Sequence, residues 1–405
     1  MPNPPIVVVG AGAAGLLAAI FAARSGGQVL LLEGTPDGGR KIVVSGGGRC
    51  NVLPSELAPE RFVTDSSPNT LRKMLRSWPL AEQRAFFERE VGVPLALEAE
   101  SGKLFPASNR AREVRDGLVA LARRSGAELR NNTRVADLEP GGAGRWTVRL
   151  DSGPPIGAGA VVLATGGLSL PGTGSDGTGL AIAERLGLRT IPPYPALTPL
   201  TGSGHEGLAG ISLVARIDAA GTGRSSEGGF LFTHRGWSGP AVLDLSDVVS
   251  RAEAGAKTAA LRVRWSALGE AEWEQALRSG PGTPLGALRR HLPERLAERL
   301  LAESAVEPGI SLARLPREAR KRLIARLVRY PLPATGDEGY RKAEVTGGGV
   351  ALSDVDPRTM ECRRLPGLFL CGEILDAFGP IGGHNFAWAW ATGRAAGLGA
   401  ARFGA

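Results

Sequence analysis

Cysteine is scarce in this chain of 405 residues. Three thiols (Cys50, Cys362, Cys371) with no Cys-x-x-Cys spacing make neither a disulfide scaffold nor a zinc ribbon, and they point to a reducing, cytoplasmic compartment. Histidine is almost as rare. Four residues, none spaced i, i+4, offer no metal cluster, so no metal is expected. Long apolar runs are missing too: none approaches the roughly 18 residues that a bilayer span requires. The first residues, with Pro2, Pro4 and Pro5 and no basic stretch, do not read as a secretory signal. Lysine is nearly absent, six residues against 42 arginines, in a chain of net charge +8. Much of that excess lies in 284–330, where eleven Lys/Arg face five Glu. Such a stretch reads as a solvated helix face in an arginine-rich chain, with nucleic acid the less expected partner.

What remains is ordinary globular composition, 43% apolar and 22% charged, long enough for two or three domains. The informative stretch is residues 6–33. Ile6-Val7-Val8-Val9 is too short for a helix and reads as a strand buried on both faces. Gly10-Ala11-Gly12-Ala13-Ala14-Gly15 follows, then an Ala/Leu-rich helix to Arg24, a second apolar strand at 29–32, and Glu33. This is a βαβ unit with a Gly-x-Gly-x-x-Gly turn. Gly10 allows the tight turn, Gly12 leaves room for a pyrophosphate, and Gly15 lets helix and strand touch. The helix N-terminus offers unpaired N–H groups to phosphate. Glu33, 18 residues beyond Gly15, stands where an acid grips ribose.

A glycine- and cation-rich loop comes next: Gly38-Gly39-Arg40-Lys41, then Ser45-Gly46-Gly47-Gly48-Arg49-Cys50-Asn51, suited to wrapping and neutralising phosphate. Residues 69–90 (broken at Pro79) and 109–126 read as amphipathic helices, with a short strand at 102–106 between them. Strands are expected over 128–139, 145–150 and 160–165, the last breaking into Gly166-Gly167, and a helix over 180–187. No second Gly-x-Gly-x-x-Gly directly follows the mid-chain strand at 160–165. Pro192, Pro193, Pro195 and Pro199 read as a stiff linker, and Tyr330-Pro331-Leu332-Pro333 as a second joint. Between them, strands at 211–218, 229–233 and 259–265 suggest a small sheet or partial barrel. Leu285, Leu288, Leu292, Leu296, Leu300 and Leu301 give 284–329 a helical period. The expected domains are 1–194 and 334–405 as two parts of one fold, interrupted by 195–333.

Leu368 to Cys371 is another buried strand, delivering Gly372-Glu373, then Asp376 and Gly382-Gly383-His384-Asn385 at the head of a helix with Trp388 and Trp390. One helix dipole supplies only about 0.3–1 kcal/mol, whereas micromolar binding takes about 8 kcal/mol. A second ligand-binding edge at the far end of the chain therefore suits a long cofactor such as FAD. Glu373 would meet a ribityl or ribose hydroxyl, and the N–H groups of 382–385 the pyrimidine edge of the flavin.

These runs, with Pro171–Gly179, Thr346-Gly347-Gly348-Gly349-Val350 and the Ala164-Thr165-Gly166 element of many flavoproteins, resemble the aminoacetone-oxidase-like family of FAD-binding oxidoreductases along nearly the whole chain. The resemblance implies an α/β, Rossmann-like FAD-binding domain of the Gly-x-Gly-x-x-Gly type, interrupted by an inserted β-barrel-like plus helical domain. Tyrosine is usual in that family where His384 stands, and Val52-Leu53-Pro54 departs from its pattern. The residues expected to hold FAD are Gly10, Gly12, Ala13, Ala14, Gly15, Glu33, Gly34, Arg40, Lys41, Ser45, Gly46, Gly48, Arg49, Cys50, Asn51, Val135, Ala164, Thr165, Gly166, Gly372, Glu373, Asp376, Gly382, Gly383, His384 and Asn385. His384 and Asn385 are the candidates for chemistry. Cys50, beside Arg49, is weighed as a thiol of lowered pKa against a packing role. Cys371 reads as core, and His234-Arg235-Gly236-Trp237 as a candidate substrate-side turn. The expected activity is hydride transfer from a small organic substrate to flavin, with reoxidation by dioxygen or another acceptor. The alternatives are reduction of a substrate double bond with NAD(P)H as transient reductant, and nucleic-acid binding through 284–330.

Overall fold

Four consecutive apolar residues have no polar face to show to water, and Ile6–Val9 (β1) accordingly lies in the middle of a five-stranded parallel sheet. Its companions are Val29–Leu32 (β2), Glu128–Arg130 (β3), Ala160–Leu163 (β4) and Leu368–Leu370 (β5), in the order β5–β4–β1–β2–β3. The structure, a computed structural model, describes residues 4–253, 260–278 and 281–403.

The register decides where chemistry can happen. Val9 lies opposite Leu32 on one side and Leu163 on the other, and Leu163 lies opposite Leu370. The C-terminal ends of four strands are therefore level. The residues that follow them, Gly10, Glu33, Ala164 and Cys371-Gly372, emerge along one edge. Strand order reverses between β1 and β4, which opens the crevice where ligands of such sheets bind.

Ala13–Arg24 (α1) is buried from Ala14 to Ile20 and leaves β1 through the glycine turn. Arg40–Val44 (α2) follows β2, and His384–Phe403 (α3) closes the chain. Helix α3 lies directly on α1: a Cβ on Gly393 would stand 2.3 Å from the Ala14 carbonyl oxygen, and one on Gly397 2.3 Å from that of Ala18. Two glycines four apart thus seat backbone on backbone, holding the middle of the last helix against the first turns of α1.

Contacts divide the chain into two compact units, Met1–Tyr194 with Glu344–Ala405, and Pro195–Ala343. The second unit has a seven-stranded sheet, including Ser212–Ala219, Arg224–Phe232 and Leu261–Arg264, over its own core of Phe230, Phe232, Trp237, Trp265 and Trp273. Residue 259, the expected start of one of its strands, lies outside the described residues.

Three expectations needed correction. The proline run is a strand, Thr190–Ala196, paired with Val345–Val350 in a two-stranded sheet where missing N–H donors are tolerated. Residues 128–139 form two strands, broken where Asn132 takes φ +53°: β3 enters the parallel sheet and Val135–Pro140 pairs with Trp146–Leu150. The helical stretch is three helices, Pro284–Leu288, Glu294–Glu303 and Arg317–Val328, the latter two starting after Pro293 and Pro316.

Candidate functional site

The turn after β1 is built from contacts that exclude side chains. Gly10 has φ +97°, and a Cβ there would stand 2.7 Å from the Ala164 carbonyl oxygen. On Gly15 it would stand 1.8 Å from the carbonyl oxygen of Gly10. Gly12 differs: a Cβ would meet nothing within 4 Å. No side chain caps α1, whose N-cap is this same glycine. The turn is packed solid on the protein side and open on the other, beside helical N–H groups.

Glu33 is buried and braces the turn. One carboxylate oxygen accepts the Ala11 N–H (2.8 Å); the other accepts the Thr35 N–H (2.9 Å) and hydroxyl (2.7 Å). The neighbouring loops converge here. The Gly39 N–H donates to the Ala11 carbonyl (2.8 Å), a Cβ on Gly372 would stand 2.8 Å from that of Ala14, and one on Gly174 would lie 3.8 Å from the Glu33 carboxylate. Gly34 packs on Arg134, and Val135 is buried in the core near the foot of this loop.

Glu373 is held by the protein itself. Its carboxylate pairs with the Lys41 ammonium (2.6 Å) and accepts from the Ser169 hydroxyl (2.6 Å) and the Thr346 N–H (2.9 Å). The Thr346 hydroxyl oxygen in turn accepts the N–H groups of Leu168 (2.7 Å) and Ser169 (3.0 Å). The sequence reading assigned Glu373 to a hydroxyl of the ligand; the structure makes it the node that ties α2, the 166–170 loop and 344–346 together. Ser169 and Thr346 were missed as partners, since nothing in the sequence links them to residue 373. Arg40 pairs with Asp37 (3.2 Å) and donates to the Gly172 carbonyl (3.3 Å).

In the 45–51 loop, Gly46, Gly47 and Gly48 all have positive φ, and the outer two faces, at 47 and 48, are open. The Ser45 hydroxyl donates to the Ile42 carbonyl (2.7 Å). Arg49 pairs with Glu98 (3.0 Å) and lies 3.9 Å over the Phe105 ring, so its charge is already neutralised within the protein. Burial pushes the Cys50 thiol up to about 12, opposite to the lowered pKa weighed from sequence, and leaves Cys50 a packing residue. The Asn51 amide, oriented to match its neighbours, accepts the Gly383 N–H (3.1 Å) and donates to the Leu53 carbonyl (3.1 Å). After β4, Ala164 is buried, Gly166 has φ +74°, and the Thr165 hydroxyl is buried without a partner.

At the head of α3, the Asn385 amide closes a two-bond ring with the Gly379 backbone (2.8 and 2.9 Å). The Asp376 carboxylate accepts from the Thr64 hydroxyl, the Asp65 N–H and the Ser66 hydroxyl, and burial pushes its pKa up. Both side chains thus fasten loops. His384 is 5% exposed, edge-on to Phe62, and pushed down to about 4 by burial and by the Arg61 charge. Trp388 donates to the Gly372 carbonyl and Trp390 to the Val52 carbonyl (3.0 Å each), clamping two loops to one helix. In the other unit His234 is exposed, and Trp237 is buried and donates to His205 Nδ1 (3.0 Å). Among the described residues no His/Cys/Asp/Glu group could hold a metal.

The open space over Gly12, the uncapped helix end, the open faces of Gly47 and Gly48 and the orphaned Thr165 hydroxyl fit an extended dinucleotide running along this edge. Fold and site define an FAD-dependent oxidoreductase. More narrowly, the chain belongs to the family described as HI0933-like protein Rossmann domain, which it matches over residues 4–399. It is 34% identical over 397 residues to the ribosomal RNA dihydrouridine synthase of Escherichia coli (strain K12), covering 95% of each chain. It is 33% identical over 413 residues to the 3-dehydro-bile acid delta(4,6)-reductase of Clostridium scindens, covering 98% of each. Among solved structures it resembles the quinol fumarate reductase chain FrdA of Escherichia coli, with TM-score 0.51 and 17% identity over 99% of this chain and 70% of that one.

Proposed function

We propose that this protein reduces a carbon–carbon double bond conjugated to a carbonyl, with uridine in ribosomal RNA as the substrate and NAD(P)H as the transient hydride donor. One observation carries the reading: two relatives of nearly equal identity, each matched end to end, have unlike named substrates and share one bond change. Dihydrouridine is uridine with hydrogen added across a double bond conjugated to a ring carbonyl, and a 4,6-unsaturated 3-ketone presents the same grouping. Neither name describes oxidation, so of the two directions open from sequence, reduction is favoured. The RNA assignment follows the relative of slightly higher identity and restores the nucleic-acid partner that composition had set aside.

FAD held in this cradle supplies the hydride. The chain's own residues bind and orient. The turn Gly10–Gly15 and the head of α1 take the pyrophosphate, Glu33 braces the ribose end, and the 45–51 loop lines the path. Backbone N–H groups at the positive end of α3, other than that of Gly383 which Asn51 accepts, stabilise negative charge developing nearby. Among the described residues no helix is long and apolar enough to cross a membrane. All three thiols are free and buried, which suits a reducing compartment such as the cytoplasm.

The test is anaerobic. Holoprotein reduced with NADPH is mixed with a ribosomal RNA transcript or with a 4-ene-3-keto steroid, and the flavin absorbance is followed. Reoxidation by the transcript, with a gain of two hydrogens at a uridine, is expected. Reoxidation by the steroid alone replaces the RNA assignment while keeping the bond change. Flavin that stays reduced with both and is reoxidised only once dioxygen is admitted overturns the reading.

A further inference from the structure

His384 has an atom with nothing to do. Its residue is 5% exposed, and ring Nδ1 is buried with no hydrogen-bond partner. The ring makes a backbone hydrogen bond to Ile381 that favours the protonated ring, so the Ile381 carbonyl accepts and the ring donates. With Nδ1 unpartnered, the donating N–H is on Nε2, which leaves Nδ1 as a bare lone pair. Burial and Arg61 keep the ring unprotonated down to about pH 4, so Nδ1 stays an acceptor.

Nδ1 faces the space above Gly382. The heavy atoms nearest to a Cβ on Gly382 would be His384 Nδ1 and Lys103 Cε, each at 3.7 Å, and His384 Cε1 at 3.9 Å. An acceptor and a lysine side chain whose ammonium lies one bond beyond Cε thus approach the same point, where glycine places no side chain. The complement is a group whose N–H stands next to a carbonyl oxygen. An imide has that pattern, and both the flavin pyrimidine ring and the uracil ring carry one.

We propose that His384 Nδ1 and Lys103 form a recognition point for the imide edge of a pyrimidinedione, the histidine accepting its N–H and the lysine donating to the adjacent carbonyl. The flavin source rests on the family alone; the uracil source rests also on the proposed reaction with RNA. The phenylalanine variant His384→Phe keeps the ring against Phe62 and removes the acceptor, whereas His384→Asn places an acceptor near the position of Nδ1.

FAD release from diluted holoprotein, the flavin absorption spectrum, and KM and kcat with a ribosomal RNA transcript are compared across wild type and both variants. If the flavin imide is bound there, His384→Phe weakens FAD binding by about tenfold and shifts the spectrum, with recovery in His384→Asn. If the uracil imide is bound there, FAD release is unchanged, KM rises by about tenfold with kcat retained, and His384→Asn again recovers it. Should the transcript prove no substrate at all, the flavin measurement still decides the first arm. Lys103→Met is expected to follow His384→Phe in whichever arm responds, and it serves alone if the histidine variants fail to fold. The assignment is overturned if FAD release, spectrum and KM are all unchanged, or if the variants alter only the melting temperature.

Discussion

Two glycines three residues apart in the first turn should give opposite phenotypes when each is replaced by alanine. At Gly15 the new Cβ would stand 1.8 Å from the Gly10 carbonyl oxygen and 3.0 Å from its carbon, both backbone atoms that cannot swing aside. Reaching ordinary contact takes a shift of about 1.5 Å in a turn already pressed on Ala164, an overpacking that costs about 1–3 kcal/mol or more. Gly15→Ala is therefore expected to unfold at lower temperature with or without cofactor. At Gly12 φ is −77°, a value alanine adopts freely, and the Cβ meets nothing within 4 Å. Exchanging glycine for alanine at this N-cap costs the apoprotein about 1 kcal/mol at most. The added methyl instead occupies the space kept for phosphate. Losing one charge-assisted hydrogen bond, about 1.5–3 kcal/mol, weakens FAD binding by about 10- to 100-fold. The assay is paired: thermal melting of the deflavinated proteins, and FAD release on dilution. If Gly12→Ala binds FAD as tightly as wild type, the placement of the pyrophosphate over this turn is wrong; if Gly15→Ala melts unchanged, the close packing of the turn is.

Protonation of His384 gives a pH dependence with a definite sign. Its folded pKa, about 4, lies below the ordinary 6.5, so from pH 6.5 downward the unfolded chain binds a proton that the folded one refuses. The unfolding free energy is whole above pH 6.5 and falls by about 3 kcal/mol towards pH 4 relative to His384→Phe, measured by urea titration. A pH-independent difference between the two proteins would contradict the buried neutral ring. His205, also pushed down by burial, adds the same sign in the other unit. The native thiols should resist alkylation: Cys50, pushed up to about 12 and buried, should stay unlabelled by iodoacetamide at pH 8 until denaturant is added, as mass spectrometry can show. Lys41→Met strands the Glu373 carboxylate, and the loss of about 1–3 kcal/mol should appear as a lower melting temperature that the double variant with Glu373→Gln partly restores.

Legibility in the sequence followed the range of the forces involved. The parallel sheet, the glycine turn and Glu33 were readable because each rests on neighbours in the chain: an apolar run, a fixed glycine spacing, an acid ending a strand. The return of the chain at 368–385 was readable for the same reason. Long-range polar contacts were not. Glu373 meets Lys41 across 332 positions and Ser169 across 204, and no local pattern announces either bond. Arg49 looked like a phosphate ligand until Glu98 and Phe105 were seen to hold it. Gly393 and Gly397 passed as composition in a glycine-rich chain, although they set the approach of α3 to α1. The prolines at 192–195 misled because a linker and an edge strand place the same demand on backbone dihedrals.

The proposed reaction is addition of hydrogen across a uridine double bond in ribosomal RNA. The most direct measurement is nucleoside mass spectrometry of ribosomal RNA from cells with and without this chain. The account predicts that dihydrouridine is lost from the RNA when the chain is removed and returns with the wild-type protein but not with Gly12→Ala. Ribosomal RNA of identical dihydrouridine content in both cells would contradict it.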